Sequence, residues 1–433
     1  MKYKNILCQC CFFLVAINFS NDCYSQNTDT IPTRYKVTLN ETHIGNLEID
    51  TKLLDSYTLL PENYRQFYLD ARLVFSKNPD ADFTNTEIIK AALKYDLLLM
   101  GGPMLGELNE HGVTLWLRPA TKTSIIVRVT EFDGSNKKIY KKSSVEPGVE
   151  QRMVLSGLSS NTDYKYAVYS KKLRIAEGRF TTSPSVEEQG MFKLAFGSCF
   201  HKIGLHNPNL VNQILKREIR AMMLLGDIAV DDRENGTNMH RSDYLLRDVS
   251  KPWQSLTANV PIYASWDDHD YLNNDLSGIP ERFNKADREA LLRVWNQNWN
   301  NPKNVVDGIF FNSRVGPVEL IMLDTRSCRK VEDRGKYGSY LGMEQLKWLK
   351  DVLKNSTAPF KIISSGTMWS DDISDGKDSW GTWDALAREE IFNFIESENI
   401  PGVLLLVEIA TVHAGSQYLD PQDINCMNLR LQH

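Results

Sequence analysis

The sequence predicts an all-β sandwich followed by a layered α/β domain. Three observations carry this. Between Gly101 and Pro184, apolar and polar side chains alternate in short runs separated by turn formers, as in an antiparallel sandwich. From Phe192 onward, apolar strand-like runs alternate with stretches of helical spacing. The polar clusters of that second half sit just after the strand-like runs, where ligand sites collect in open α/β sheets.

The 433 residues are 42% hydrophobic and 24% charged, which is ordinary globular composition for two or three domains. A net charge of −5 gives no reason to expect nucleic acid or an anionic membrane as partner. Residues 1–25 read as a secretory signal: Met1-Lys2-Tyr3-Lys4 leads a largely apolar run from Ile6 through Phe19, and Cys23-Tyr24-Ser25 offers small residues before Gln26. A membrane anchor or a buried first helix is the other reading, but the run is short for a span. Export to the periplasm or the exterior is therefore expected. Beyond the leader the cysteines are Cys199, Cys328 and Cys426, an odd and sparse set that makes no disulfide framework.

Residues 26–97 form a mainly helical extension. Glu62 to Leu69 and Thr86 to Leu93 carry helical spacing. Residues 98–185 form the sandwich, with Val113 to Arg118, Ser124 to Val129 and Tyr164 to Tyr169 as alternating strands. Leu155 to Tyr164 resembles the penultimate turn of fibronectin type III domains, where a Leu and a Tyr pack across a corner. Residues 190–406 form the α/β domain. Its strands are Lys193–Phe196, Ala221–Leu225, Pro261–Ser265, Val318–Leu323 and Phe360–Ser364, with helices over Pro208–Ile219, Ala286–Trp299 and Met343–Leu353.

Four motifs follow these strands. Trp266-Asp267-Asp268-His269-Asp270 delivers two carboxylates and an imidazole to one point, and adjacent acids are not comfortably buried without a cation. Asp268 is the metal ligand expected here and His269 the general acid. Asp267 orients the histidine or a neighbouring group. Asn273 and Asn274 complete the wall. Gly197-Ser198-Cys199 offers a thiolate, or else a small buried apolar group. Leu225-Gly226-Asp227 offers a bridging carboxylate, or else a turn. Asp231, Asp232, Arg233 and Glu234 read better as a solvated loop than as ligands. Asp324-Thr325-Arg326 offers a bidentate grip on phosphate oxygens, or else an Asp-Arg pair within the loop.

In this order, the four motifs resemble the PhoD-like alkaline phosphatases, a branch of the calcineurin-like metallophosphoesterases. Gly101 to Gly106, Trp348 to Leu353 and Lys361 to Thr367 add to the resemblance, which covers about residues 98 to 406. It implies a metallophosphatase-type α/β domain and a di- or trinuclear site of iron and calcium, other divalent metals being open. Cys199, Asp227 and Asp268 become the metal ligands, and His269 and Arg326 the catalytic residues. The implied function is an exported phosphomonoesterase or phosphodiesterase acting on a small phosphate ester. Water activated at the metals attacks phosphorus, and His269 protonates the departing alkoxide.

The chain departs from the family in two places. The family has a tyrosine ligand three residues after the aspartate of its Gly-Asp motif, where this chain has Val230. The strand Gly402–Leu406 should lead into a Ser-Gly-Asp-x-His loop, but the chain reads Val407-Glu408-Ile409-Ala410-Thr411-Val412-His413 and stops at His433. Codons for Val407 to Val412, read one base out of frame, can encode Ser-Gly-Asp-Arg-His-Arg. Residues 407–433 are therefore expected to be a divergent, frameshifted tail in which His413 is no ligand. The α/β domain is expected to be incomplete, with an unpaired sheet edge. The alternative function is a catalytically inactive surface or binding protein that keeps the sandwich.

Overall fold

The computed structural model describes residues 30–186, 188, 191–303, 307–370, 379–407 and, by backbone alone, 425–430. The leader, His413 and the side chain of Cys426 lie outside the described residues.

The chain opens with helices α1 (Leu39–Ile44), α2 (Leu47–Leu54), α3 (Glu62–Lys77) and α4 (Thr86–Lys94). Short as it is, α1 is well bracketed. Thr38 and Glu41 form a reciprocal capping box, and Gly45 ends the helix in the left-handed region. The apolar faces of α2, α3 and α4 gather Leu53, Phe67, Phe75 and Ile88 into one cluster. Leu245, Leu246 and Val249, from a helix of the α/β part, close that cluster.

Next come β1 (Leu99–Asn109), β2 (Gly112–Pro119), β3 (Thr123–Glu131), β4 (Lys138–Val145), β5 (Gln151–Leu155), β6 (Asp163–Ser170) and β7 (Leu173–Thr181). They make two antiparallel sheets, ordered β1-β2-β5 and β4-β3-β6-β7. On β3, Ile125, Val127 and Val129 are buried and alternate with more exposed residues, which sets register against the core.

The α/β part runs β8 (Met191–Gly197), α5 (His201–Leu205), α6 (Pro208–Lys216), β9 (Ala221–Leu224), α7 (Thr237–Val249), α8 (Lys251–Thr257), β10 (Ile262–Ala264), α9 (Asp268–Tyr271) and α10 (Lys285–Asn298). It continues with β11 (Phe311–Val315), β12 (Val318–Met322), α11 (Gly342–Asn355), β13 (Phe360–Ser365), α12 (Trp380–Trp383), α13 (Ala385–Ser397), β14 (Val403–Val407) and β15 (Asn425–Arg430). Its two mixed sheets are ordered β10-β9-β8-β15 and β11-β12-β13-β14. Alternation stacks them into layers. Leu194, Met223 and Tyr263 face Leu320, Met322 and Ile362 between the sheets. Ala195, Met222 and Leu224 face α6, α8 and α10, while Ile321 and Ile363 face α11 and α13 on the far side.

Within the tail, β15 pairs antiparallel with β8, Cys426 opposite Ala195, while β14 lies at the edge of its own sheet among the described residues. Residues 31–433 also form one unit. The cluster between the α/β sheets continues into Leu105, Leu115 and Val127 of the sandwich, and Tyr263 Oη accepts the Leu108 N–H at 2.8 Å.

Candidate metal centre and active site

Strands β8, β9 and β10 are parallel neighbours, so their C-termini open on the same side. Cys199, Asp227 and Asp268 follow them in turn. Cys199 Sγ lies 4.0 Å from Asp227 Oδ2. Asp227, Asp268 and His269 bring one donor atom each within 4.8 Å of one another, and so do Cys199, His201 and Asp227. The three side chains assigned as ligands thus share one place.

The loops that carry them are bent tightly. Cys199, His201, Asp227 and Asp232 all have left-handed φ, between 44° and 55°. Such strain in non-glycine residues collects at sites where the surrounding structure overrides it. Here the overriding bonds are visible: Cys199 N–H donates to Gly226 O at 3.0 Å and His201 N–H to Asp227 O at 2.8 Å. Asp270 accepts from the N–H groups of Ile228, Ala229 and Val230 at 3.1, 3.2 and 3.4 Å, fixing the loop behind Asp227. Burial pushes the Asp270 carboxyl up to about 6 despite these bonds.

Two imidazoles enter the site, each held by a carboxylate. His269 Nδ1 pairs with Asp232 Oδ1 at 2.8 Å, and His201 Nδ1 with Asp231 Oδ1 at 2.8 Å. Burial alone would lower both pKa values. For His269 the bond to Asp232 and the charge of Asp268 outweigh it, and for His201 the charge and bond of Asp231 do, so both move upward. A third histidine, His43 of α1, pairs with the other oxygen of Asp232 at 3.2 Å.

Several sequence assignments are revised. His269 is held by Asp232, and of the two roles expected of Asp267 the hydrogen bonds show the hold on a neighbouring group. Asp267 pairs with Arg326, Nε to Oδ1 at 2.5 Å and Nη2 to Oδ2 at 2.9 Å. Arg326 is 1% exposed and also lies 3.5 Å from Asp268 Oδ1, so its guanidinium is engaged by the carboxylates of the site. This is not a pair within one loop, since Asp267 is on another. Asp231 and Asp232 are not a solvated loop: Asp231 is fully buried, and both carboxyls fall below their ordinary value because the histidine partners outweigh burial. Asn273 exchanges two hydrogen bonds with Glu234, and Asn274 donates its backbone N–H to Asp232 Oδ1 at 2.9 Å with its side chain exposed. These two asparagines pin the loop and do not wall the site. Val230 is buried in the core that covers β8 to β10, so no ligand comes from that position.

The donor set fits a cation. Asp227 Oδ1 is buried with no hydrogen-bond partner among the described residues. Burial and then the charge of Asp268 push the Asp227 carboxyl well above its usual range. Burial would raise Asp268 too, but Arg326 and His269 hold it down at about 2. Two close carboxylates, a thiol and an imidazole match what a borderline or hard metal ion takes.

The site's chemistry and the layered sheets agree with what similar proteins show. The PhoD-like phosphatase family model matches residues 227–418. The match includes Asp227, Asp232, Asp268, His269 and Arg326, and it extends past Val407. The chain is 27% identical over 222 residues to alkaline phosphatase D of Bacillus subtilis (strain 168), which is 43% of this chain and 36% of that protein. The chain thus spans about a third of that relative's length. The structure of PhoD superposes with a TM-score of 0.59 at 19% identity, covering 72% of this chain and 71% of that one. The purple acid phosphatase PPD1 of yellow lupin (Lupinus luteus) gives 0.51 at 12% identity over 70% and 57%. The two superpositions give the PhoD-like segment a metallophosphatase-type α/β fold. Cys199, His201 and His43 precede the matched segment.

His43, His201, Asp231 and Asp232 were not among the residues assigned from sequence. Asp231 and Asp232 had a signal, standing four and five residues after Asp227, and His201 stands two after Cys199. His43 had none.

Proposed function

We propose that this chain is an exported, metal-dependent phosphoric ester hydrolase of the alkaline phosphatase D type, acting on small phosphate monoesters or diesters. The observation that carries the reading is the meeting of Cys199, Asp227 and Asp268 beside a histidine whose Nδ1 is held by a carboxylate. Cys199, Asp227 and Asp268 would hold the metals, iron and calcium by resemblance. Bound metal supplies positive charge and lowers the pKa of water. His269, its Nδ1–H given to Asp232, directs Nε2–H toward the departing oxygen and protonates it as the ester bond breaks. Arg326 holds Asp267 and Asp268 in place. No helix among the described residues is long and apolar enough to cross a membrane.

The strand order of the two antiparallel sheets supports a fibronectin type III-like reading of the sandwich. So does the corner where Tyr164 Oη accepts the Ser159 N–H at 2.9 Å beside buried Leu158. For the tail, the out-of-frame Ser-Gly-Asp-Arg-His-Arg supports a frameshift near Leu406. The gene sequence across that codon decides it, and codons that cannot encode Gly-Asp-x-His in a neighbouring frame reject it.

The function is tested with p-nitrophenyl phosphate and bis(p-nitrophenyl) phosphate, using this chain and its frame-corrected form. Hydrolysis should vanish on thorough chelation and return with metal. His269→Ala should lose about 100-fold or more in kcat on an ester with a poor leaving group. Turnover that survives complete metal removal rejects the metal role. Hydrolysis by neither form supports a binding protein instead.

A further inference from the structure

We propose that His43, on the N-terminal helix outside the matched segment, is a positioning residue for His269. The proposal rests on the hydrolase reading above. Asp232 is the link. Its Oδ1 takes His269 Nδ1 at 2.8 Å and the Asn274 N–H at 2.9 Å, and its Oδ2 takes His43 Nδ1 at 3.2 Å. A carboxylate gripped at both oxygens has its plane fixed. A fixed plane fixes the imidazole ring hydrogen-bonded to it, and so the direction in which His269 Nε2 points. Without His43, Oδ2 has lost this anchor and the carboxylate can turn about its last torsion.

His43 makes a second contact of the same sense. Its ring meets the His269 ring edge-on, with centroids 4.3 Å apart and planes at 90°. One side chain therefore braces the general acid both directly and through its carboxylate. No described residue offers His43 Nε2 a hydrogen bond, so the Asp232 bond and the ring contact set its orientation.

Helix α1 is fastened where this bracing needs it. Two residues beyond His43, Gly45 O accepts from Arg72 Nη2 at 2.9 Å and from Arg233 Nη2 at 3.2 Å. Arg233 follows Asp232 directly and is itself held by Asp243, Nε to Oδ2 at 2.7 Å. The helix carrying His43 and the loop carrying Asp232 are thus tied together within two residues of the bond in question. A helix that merely covered the α/β part would need no such tie beside the general acid.

Phenyl phosphate and p-nitrophenyl phosphate separate a positioning role from a structural one. The first has the poorer leaving group and depends more on proton donation. In the metal-loaded full chain, His43→Ala should lower kcat on phenyl phosphate roughly 10- to 100-fold, and much less on p-nitrophenyl phosphate, with KM little changed. His43→Asn, whose side-chain amide can donate from nearly the place of Nδ1, should restore most of the loss, and it covers the case in which His43→Ala folds poorly. Equal losses on the two esters, or Asn no better than Ala, overturn the proposal. A second readout needs no turnover: long-range ¹⁵N–¹H spectra of the histidine rings, with His269 assigned from His269→Ala. His43→Ala should shift the His269 Nδ1 signal, and an unchanged signal overturns the proposal. If neither the wild-type chain nor its frame-corrected form hydrolyses either ester, the hydrolase reading has failed and the ring spectra alone decide whether His43 sets His269.

Discussion

At the scale of single residues, the site is governed by which charge stands behind which. Arg326 is a buried cation paired with the carboxylates of both Asp267 and Asp268. Removing one partner of a buried pair leaves the other uncompensated, at about 3–5 kcal/mol. Arg326→Ala should therefore lower the urea midpoint of unfolding by a corresponding amount and weaken metal retention on dialysis. A variant as stable as wild type would mean that Asp267 finds another partner or is protonated. The same reasoning shows why the partner of Arg326 was not legible in the sequence. An arginine after a strand looks alike whether it faces substrate or a carboxylate 59 positions away.

At the scale of elements, function depends on how loops are tied to strand ends. Asp270 is the clearest case. Its carboxylate gathers three successive backbone N–H groups of the loop after Asp227. Asp270→Ala leaves those buried donors unsatisfied, at roughly 1–3 kcal/mol for each one that finds no water. The expected result is a Tm lowered by several degrees together with weaker metal binding, read by differential scanning calorimetry and by metal analysis after dialysis. A large fall in Tm with metal binding intact would show that Asp227 is placed by Gly226 and its neighbours without the Asp270 bonds. Most strands of the α/β part were legible as apolar runs. Strand β11 was not assigned, and neither were α7 and α8. Helix α7 shows why: Asn238, His240, Ser242, Asp243 and Arg247 are polar and yet buried, so its sequence lacks a clear apolar stripe.

At the scale of the whole molecule, one continuous core joins sandwich and α/β layers, and buried ionisable groups couple its stability to pH. Burial lowers His206 to about 3 and His240 to about 4, from 6.5 in each case. Both stay neutral in the folded chain at pH values where the unfolded chain protonates them. Between about pH 4 and 6.5 the unfolded state therefore binds more protons, and stability falls on acidification through that window. For His240 the full shift corresponds to roughly 3 kcal/mol. His201, His269 and Asp270 are shifted upward and act in the opposite sense, so the readout is the difference between wild type and His240→Gln: from pH 7 down to pH 4 the urea midpoint of the wild type should fall relative to that of the variant. A difference between the two that does not change with pH would contradict the burial of the His240 ring.

By itself the sequence determined the order of the antiparallel and α/β parts and the strand ends that carry Cys199, Asp227 and Asp268. These are local properties: apolar periodicity marks a strand, and a polar cluster after it marks a site. Only the tertiary structure decided that Asp232 holds His269, that Arg326 serves Asp267, and that His43 enters the site from a helix 189 residues before its partner. Those pairings depend on which buried charge meets which across the fold. No spacing along the chain encodes that, because the meeting is set by packing far from both partners.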